Sequence, residues 1–78
     1  MHLEIITPDK KLFEDEVKSV ILPGIDGSFG VLDNHAPLIA ALKKGSVNVT
    51  DNSAARHNFA INGGVVEVLN NRVIVLAE

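Results

Sequence analysis

Residues 23–38, PGIDGSFGVLDNHAPL, decide how this chain is read. Gly24, Gly27 and Gly30 alternate there with an acid, a hydroxyl and a phenyl ring, and the run closes on Asn34-His35-Ala36-Pro37. Ser28, Asp33 and His35 are the residue types of a small serine hydrolase, in which a His oriented by a third group activates a hydroxyl. The Gly-x-Ser-x-Gly elbow of such enzymes is missing, and so is the helix that should follow it. Backbone demand explains the same residues without chemistry. Asp26-Gly27 is a tight-turn dipeptide, Pro23-Gly24 suits a type II turn, and Gly30 before Val31-Leu32 suits a bulge or a close strand crossing. Pro37 holds Ala36 extended and makes 34–38 a rigid corner, with His35 presented at it.

Outward from this stretch the hydropathy has period two. HLEIIT places Leu3 and Ile5 on one side and His2 and Glu4 on the other. Thr7-Pro8-Asp9 turns the chain, and an extended run resumes at Lys11-Leu12-Phe13. In VKSVIL, Val17 is out of step with Val20, which predicts a β-bulge between them. HAPLIAALKK could be helical by composition, but Pro37 and the alternation of Ala36, Leu38, Ala40 and Leu42 favour a strand. GSVNVT turns Val47 and Val49 inward, and RHNFAI does the same with Phe59 and Ile61. Asn70-Asn71 between VVEVL and RVIVLA reads as a hairpin. About eight short strands with frequent turns mean one all-β domain over residues 1–78, a sandwich or a barrel. The last strand is apolar on both sides, since Ile74 and Leu76 oppose Val73, Val75 and Ala77. Its second side therefore asks for a further cover.

Composition narrows the function. The chain has 78 residues, 46% of them apolar, and no cysteine, so neither a disulfide nor a thiolate-bound metal supports the core. A net charge of −3, scattered lysines and three phenylalanines as the only aromatics speak against nucleic acid as a partner. No run approaches the roughly 18–20 apolar residues of a membrane-spanning helix. The N-terminus lacks the basic-then-apolar order of a secretion signal, so Asn48-Val49-Thr50 is not read as a glycosylation site. His2, His35 and His57 stand far apart without metal-ligand spacing. GIDGSFG has neither the lysine nor the helix of a phosphate loop. No cofactor is expected.

In order and spacing, PGIDGSFGVLDNHAPLIAALKKGSVNV followed by INGGVVEVLNNRVIVLAE resembles the N-terminal domain of the ε subunit of F-type ATP synthase, whose mitochondrial counterpart is δ. The likeness runs from Leu3 to Glu78. It implies a flattened β-sandwich of about eight to ten short strands. It also implies a non-catalytic rotor subunit at the foot of the central stalk, peripheral to the cytoplasmic face of a bacterial inner membrane and not inserted in it. The partners implied are subunit γ and the ring of c subunits.

Carried onto this chain, the likeness puts Ile25, Asp26, Gly27, Ser28 and Phe29 on the c-ring side, and Thr7, His35, Ala36 and Ala40 on or near the γ side. Ser28 stands where many members carry Glu, which leaves Asp26 as the acid of that loop. Most members continue into a helical hairpin that restrains ATP hydrolysis and in some binds ATP. This sequence stops at Glu78, so neither property is expected of it. A stand-alone β-sandwich that binds a ligand or peptide is the alternative reading, with the Ser28–Asp33–His35 hydrolase more remote.

Overall fold

The computed structural model describes all residues, Met1–Glu78. Eight strands follow one another: β1 (His2–Ile6), β2 (Lys11–Gly24), β3 (Gly27–Leu32), β4 (Leu38–Leu42), β5 (Gly45–Asp51), β6 (Arg56–Ile61), β7 (Gly64–Leu69) and β8 (Arg72–Ala77). They pair in the order β1-β8-β7-β4-β2-β5-β6, with β3 on β2 and a further β1–β2 ladder. All pairs are antiparallel except β1–β8, which lays the first and last strands side by side in parallel.

The fold turns on β2, which runs through 14 residues. LysLeuPhe and ValLysSerValIleLeu, separate runs by hydropathy, are one continuous strand. Its first half pairs with β1, through Glu14↔Glu4 and Phe13↔Ile5. Its second half pairs with β3 and β5. One strand thus belongs to two layers, and the bend between them sits where the expected bulge does: Val17 opposes Asp51, but Ser19 opposes Thr50. The extra residue, Lys18, tightens the local twist and lets β2 leave one layer for the other.

Between the layers lie Leu3, Ile5, Val17, Val20, Leu22, Val31, Val47, Val49, Val66, Val68, Val73 and Val75, all essentially without solvent contact. Six of the eight strands supply these residues, Leu42 of β4 and Ile61 of β6 are buried beside them, and β-branched side chains fit the pleated surfaces. The shortest principal extent is 18 Å, which matches two sheets about 10 Å apart plus their outer side chains. Phe13 closes the open side, with its ring centroid 5.2 Å from those of both Phe59 and His57 on β6.

The turn chemistry holds in two places. Asn70 and Asn71 take φ of 51° and 61°, the left-handed pair that a two-residue hairpin favours. Thr7 accepts from the Lys10 amide through its hydroxyl and donates its own amide to the Lys10 carbonyl. Within HAPLIAALKK, Leu38–Leu42 is extended, as β4, and no helix forms. The opening stretch differs from expectation. Pro23 and Gly24 are strand residues, paired with Ser28 and Gly27, and the turn is Ile25-Asp26. The positive φ falls just after it, on Gly27 at 129°. Gly24 is there for space: a Cβ would stand 2.6 Å from the Gly27 carbonyl oxygen and 2.9 Å from the Phe29 ring. Gly30 pairs regularly with Ile21 and makes no bulge, and nothing in the structure requires glycine there.

Candidate functional site

Strand register divides the surface into two ends and two outer faces. At one end stand the Ile25-Asp26 tip, the Thr7–Lys10 turn, Lys43 and Gly63. They are drawn together by Lys43 N–H to Pro23 O (2.8 Å), Ile25 N–H to Ala41 O (3.0 Å) and Glu78 N–H to Gly63 O (3.0 Å). At the other end the 33–37 loop meets the Asn70-Asn71 turn, where Asn34 N–H donates to Asn71 Oδ1 at 2.8 Å. Asp33 is held there by the Met1 ammonium at 2.6 Å, which also donates to Val17 O at 3.1 Å.

This geometry sorts the residues singled out by sequence. Thr7 and the tip residues Ile25, Asp26 and Gly27 share one end. His35 and Ala36 occupy the other, beyond the length of β4. Ile25, Asp26, Gly27, Ser28 and Ala36 are exposed, while Thr7 and His35 are half-buried. Ala40 and Phe29 turn toward the interior and pack against the core. On β4 the outward residues are Ile39 and Ala41.

A hydrolase site is not assembled. Ser28 is the second residue of β3 and Asp33 follows its end, so the strand rise alone places about 13 Å between Ser28 and Leu32. Asp33 is engaged by Met1, and His35 Nδ1 lies 2.8 Å from the carbonyl of Ala36.

The residues that do converge come from two separate segments of the chain. Gly24, Ile25, Asp26, Gly27 and Phe29 form one wall of an open groove of about 500 Å³, and Leu38, Ile39, Ala40 and Ala41 form the other. The groove exists because β3 pairs only with β2, while β4 meets β2 only at Gly24↔Leu42. Beyond that pair no strand lies against β4 on the side away from β7. No periodicity in the sequence announces this, since it depends on which strands fail to pair.

The outer face of β4-β7-β8-β1 is partly apolar. Register lines up Ala41, Val65, Leu76 and Ile6 in one row, and Ile39, Glu67, Ile74 and Glu4 in the next. Leu76 is 55% exposed and Ile39 72%. The second side of β8 is therefore uncovered within the chain, as its two-sided apolar pattern anticipates. The opposite face, on β3-β2-β5-β6, is mostly polar, with Ser28, Ser19, Asn48, Thr50, Asn58 and Arg56 turned outward beside Ile21 and Leu32.

Two histidines sit in carboxylate settings that sequence spacing does not show. His2 Nδ1 is 2.7 Å from Glu16 and Nε2 is 2.8 Å from Glu14, across the β1–β2 ladder. Hydrogen bonds to Glu16 first and Glu14 second raise the His2 pKa above its ordinary value. His2, Glu4 and Glu14 bring ligand-type atoms within 4.8 Å of one another. The Lys11 ammonium, 2.5 Å from Glu14 and 3.2 Å from Glu4, already takes the cation's place there. On β5, Asp51 accepts from Ser53 N–H and Oγ–H and from Ala55 N–H, and its Oδ2 lies 2.8 Å from His57 Nε2. The His57 and then Ser53 hydrogen bonds bring the Asp51 carboxyl down to about 2. Both clusters tie strands together, and neither faces the groove.

The family model described as the ATP synthase delta/epsilon chain, beta-sandwich domain, matches residues 1–78. The chain is 45% identical over its whole length to the ATP synthase epsilon chain of Campylobacter curvus (strain 525.92), of which it covers 60%. It is 47% identical over 97% of its length to that of Chlorobium limicola, of which it covers 86%. It thus spans less than two thirds of the length of the first of these relatives and most of the second. Among solved structures, a chain of the Euglena gracilis mitochondrial ATP synthase OSCP/F1/c-ring assembly superposes with a TM-score of 0.90 at 22% identity, over 96% of this chain and 48% of that one. A chain of the Tetrahymena thermophila mitochondrial ATP synthase central stalk/c-ring gives 0.82 at 17% identity, over 99% of this chain and 62% of that one. At these identities the structural likeness speaks for the fold.

Proposed function

The chain belongs to the ATP synthase delta/epsilon beta-sandwich family, and from that premise we propose that it is a non-catalytic rotor element that binds subunit γ and the c-ring and helps carry rotation between proton flow and ATP synthesis. The observation that carries this reading is the family match over all of residues 1–78, supported by 47% identity to a relative covered to 86%.

The surface suits an adaptor between two partners. The tip Ile25-Asp26 with Gly27 and Ser28 projects from one end and is the c-ring side of the proposal. The 35–36 corner and the outward residues of β4 form the γ side. Thr7 falls at the tip's end, and the groove joins the tip to β4, so the tip stands where the two partner surfaces would meet. The complex works peripherally at the membrane in this reading, with γ and the c-ring as its attachments. No helix of the structure is long and apolar enough to cross a membrane.

The test is direct. Purified chain at micromolar concentration is titrated with its cognate γ subunit by calorimetry. Saturable binding supports the reading, and absence of binding removes it. The ligand- or peptide-module alternative would then be the remaining one, with the groove as its site.

A further inference from the structure

We propose that the groove between β3 and β4 takes an extended strand of the partner, which hydrogen-bonds along the free edge of β4. The inference rests on the γ reading above and adds the mode of binding. It starts from backbone direction. Ile25 N–H donates to Ala41 O, so the peptide groups of Ala41 point away from β7 and toward the hairpin. In a strand every second residue points the same way, so the N–H and C=O of Ile39 also face the groove. No strand is paired with them on that side, because β2 meets β4 only at Gly24↔Leu42.

Such an edge is a ready template for another strand, and proteins commonly blunt it with charge or a bulge. Here β4 carries no charged residue and no bulge, and the ladder to β7 is regular from Leu38 to Leu42. Pro37 stands just before the strand and limits the free edge at that end. The side chains lining the groove are apolar except for Asp26 at its mouth. The edge therefore specifies main-chain pairing, and the lining specifies alternate apolar side chains. Asp26 supplies the charge complement: the segment that fits carries a basic residue at the end that meets the tip.

Amide hydrogen exchange of the chain, free and saturated with its cognate γ subunit, tests this residue by residue. Ile39 N–H should exchange rapidly in the free chain and slow by at least about 10-fold on binding. Ile39→Pro removes that donor, on the side of an edge strand where proline is tolerated, and should weaken γ at least about 10-fold. Ile39→Thr, which keeps the donor, should stay within about 3-fold. Asp26→Asn should weaken binding by about 2- to 5-fold at low salt, as expected of a surface ion pair. If γ binds and Ile39 N–H stays unprotected, strand addition is wrong while the rotor reading stands. If γ does not bind, both fall. Protection of Ile39 that grows with the concentration of the chain alone would put a second copy in the groove and overturn the proposal. The exchange measurement decides even if Ile39→Pro fails to fold.

Discussion

The imidazole of His57 lies 2.8 Å from the carboxylate of Asp51, six residues earlier across the β5–β6 turn, while Phe13 packs against the same ring. Asp51 also accepts two backbone amides and the Ser53 hydroxyl, and it is the one charged residue among the buried set. Its pKa is lowered to about 2, so its contribution is present above the unfolded carboxyl value near 4 and is lost as pH falls toward 2. Asp51→Asn should lower the melting temperature at pH 7 and flatten the decline between pH 4 and 2. Thermal denaturation of both forms across that range checks it. A parallel decline in the two would exclude Asp51 as its source.

His2 has the opposite sign. Both ring nitrogens face carboxylates, and only the imidazolium can donate to both. Its folded pKa is raised, so the stabilisation is complete below the unfolded value near 6.5 and is lost as pH rises through the folded one. The surrounding charges are Glu4 on β1, Lys11, Glu14 and Glu16 on β2, and Arg72 on β8. Ring-proton NMR should give a midpoint above 6.5, and His2→Gln should remove the matching step in stability. A midpoint at or below 6.5 would show that the two carboxylates do not hold the proton.

Much of the fold is legible in the sequence because a half-buried strand writes its burial in alternate residues. Val47 and Val49, Val66 and Val68, and Val73 and Val75 face inward as their spacing requires. The bulge at Val17 was legible for the same reason, since a break in period is a break in register. Pro23-Gly24 misleads because both residues are turn formers by habit. In β2 the Pro23 carbonyl accepts from Lys43 on the side away from β3, so no hairpin bond to β3 needs its missing N–H. The site is less legible. Ala40 and Ala41 differ by one position and face opposite ways, and which of them looks outward follows from pairing with β7 rather than from their chemistry.

The shared strand should be the weak point of the core. Leu22 is fully buried in the half of β2 that pairs with β3, and it cannot be replaced from another element. Leu22→Ala should destabilise by about 2–5 kcal/mol, the range for large-to-small changes in a packed interior. Urea denaturation would read the loss as a lower midpoint with an unchanged slope. A loss below about 1 kcal/mol would mean that the two layers close over the cavity.

The neighbouring alanines of β4 separate interface from core. Ala40 packs against the core, so Ala40→Glu has to desolvate a carboxylate or push the strand outward, and should cost about 1–3 kcal/mol of folding stability. Ala41 is exposed, so Ala41→Glu should change stability by no more than about 0.5 kcal/mol. The same holds for Ala36→Glu in the 33–37 loop, where the side chain is exposed. If the γ subunit covers this side of the sandwich, Ala36→Glu and Ala41→Glu should nevertheless weaken it by about 10-fold or more, because a charge on a covered surface loses its hydration. Melting temperature and calorimetric affinity, measured on the same samples, distinguish the two effects. Unchanged affinity in both exposed variants would move the γ surface off β4, whereas a lower melting temperature for Ala41→Glu would show that β4 faces the core differently from its register with β7.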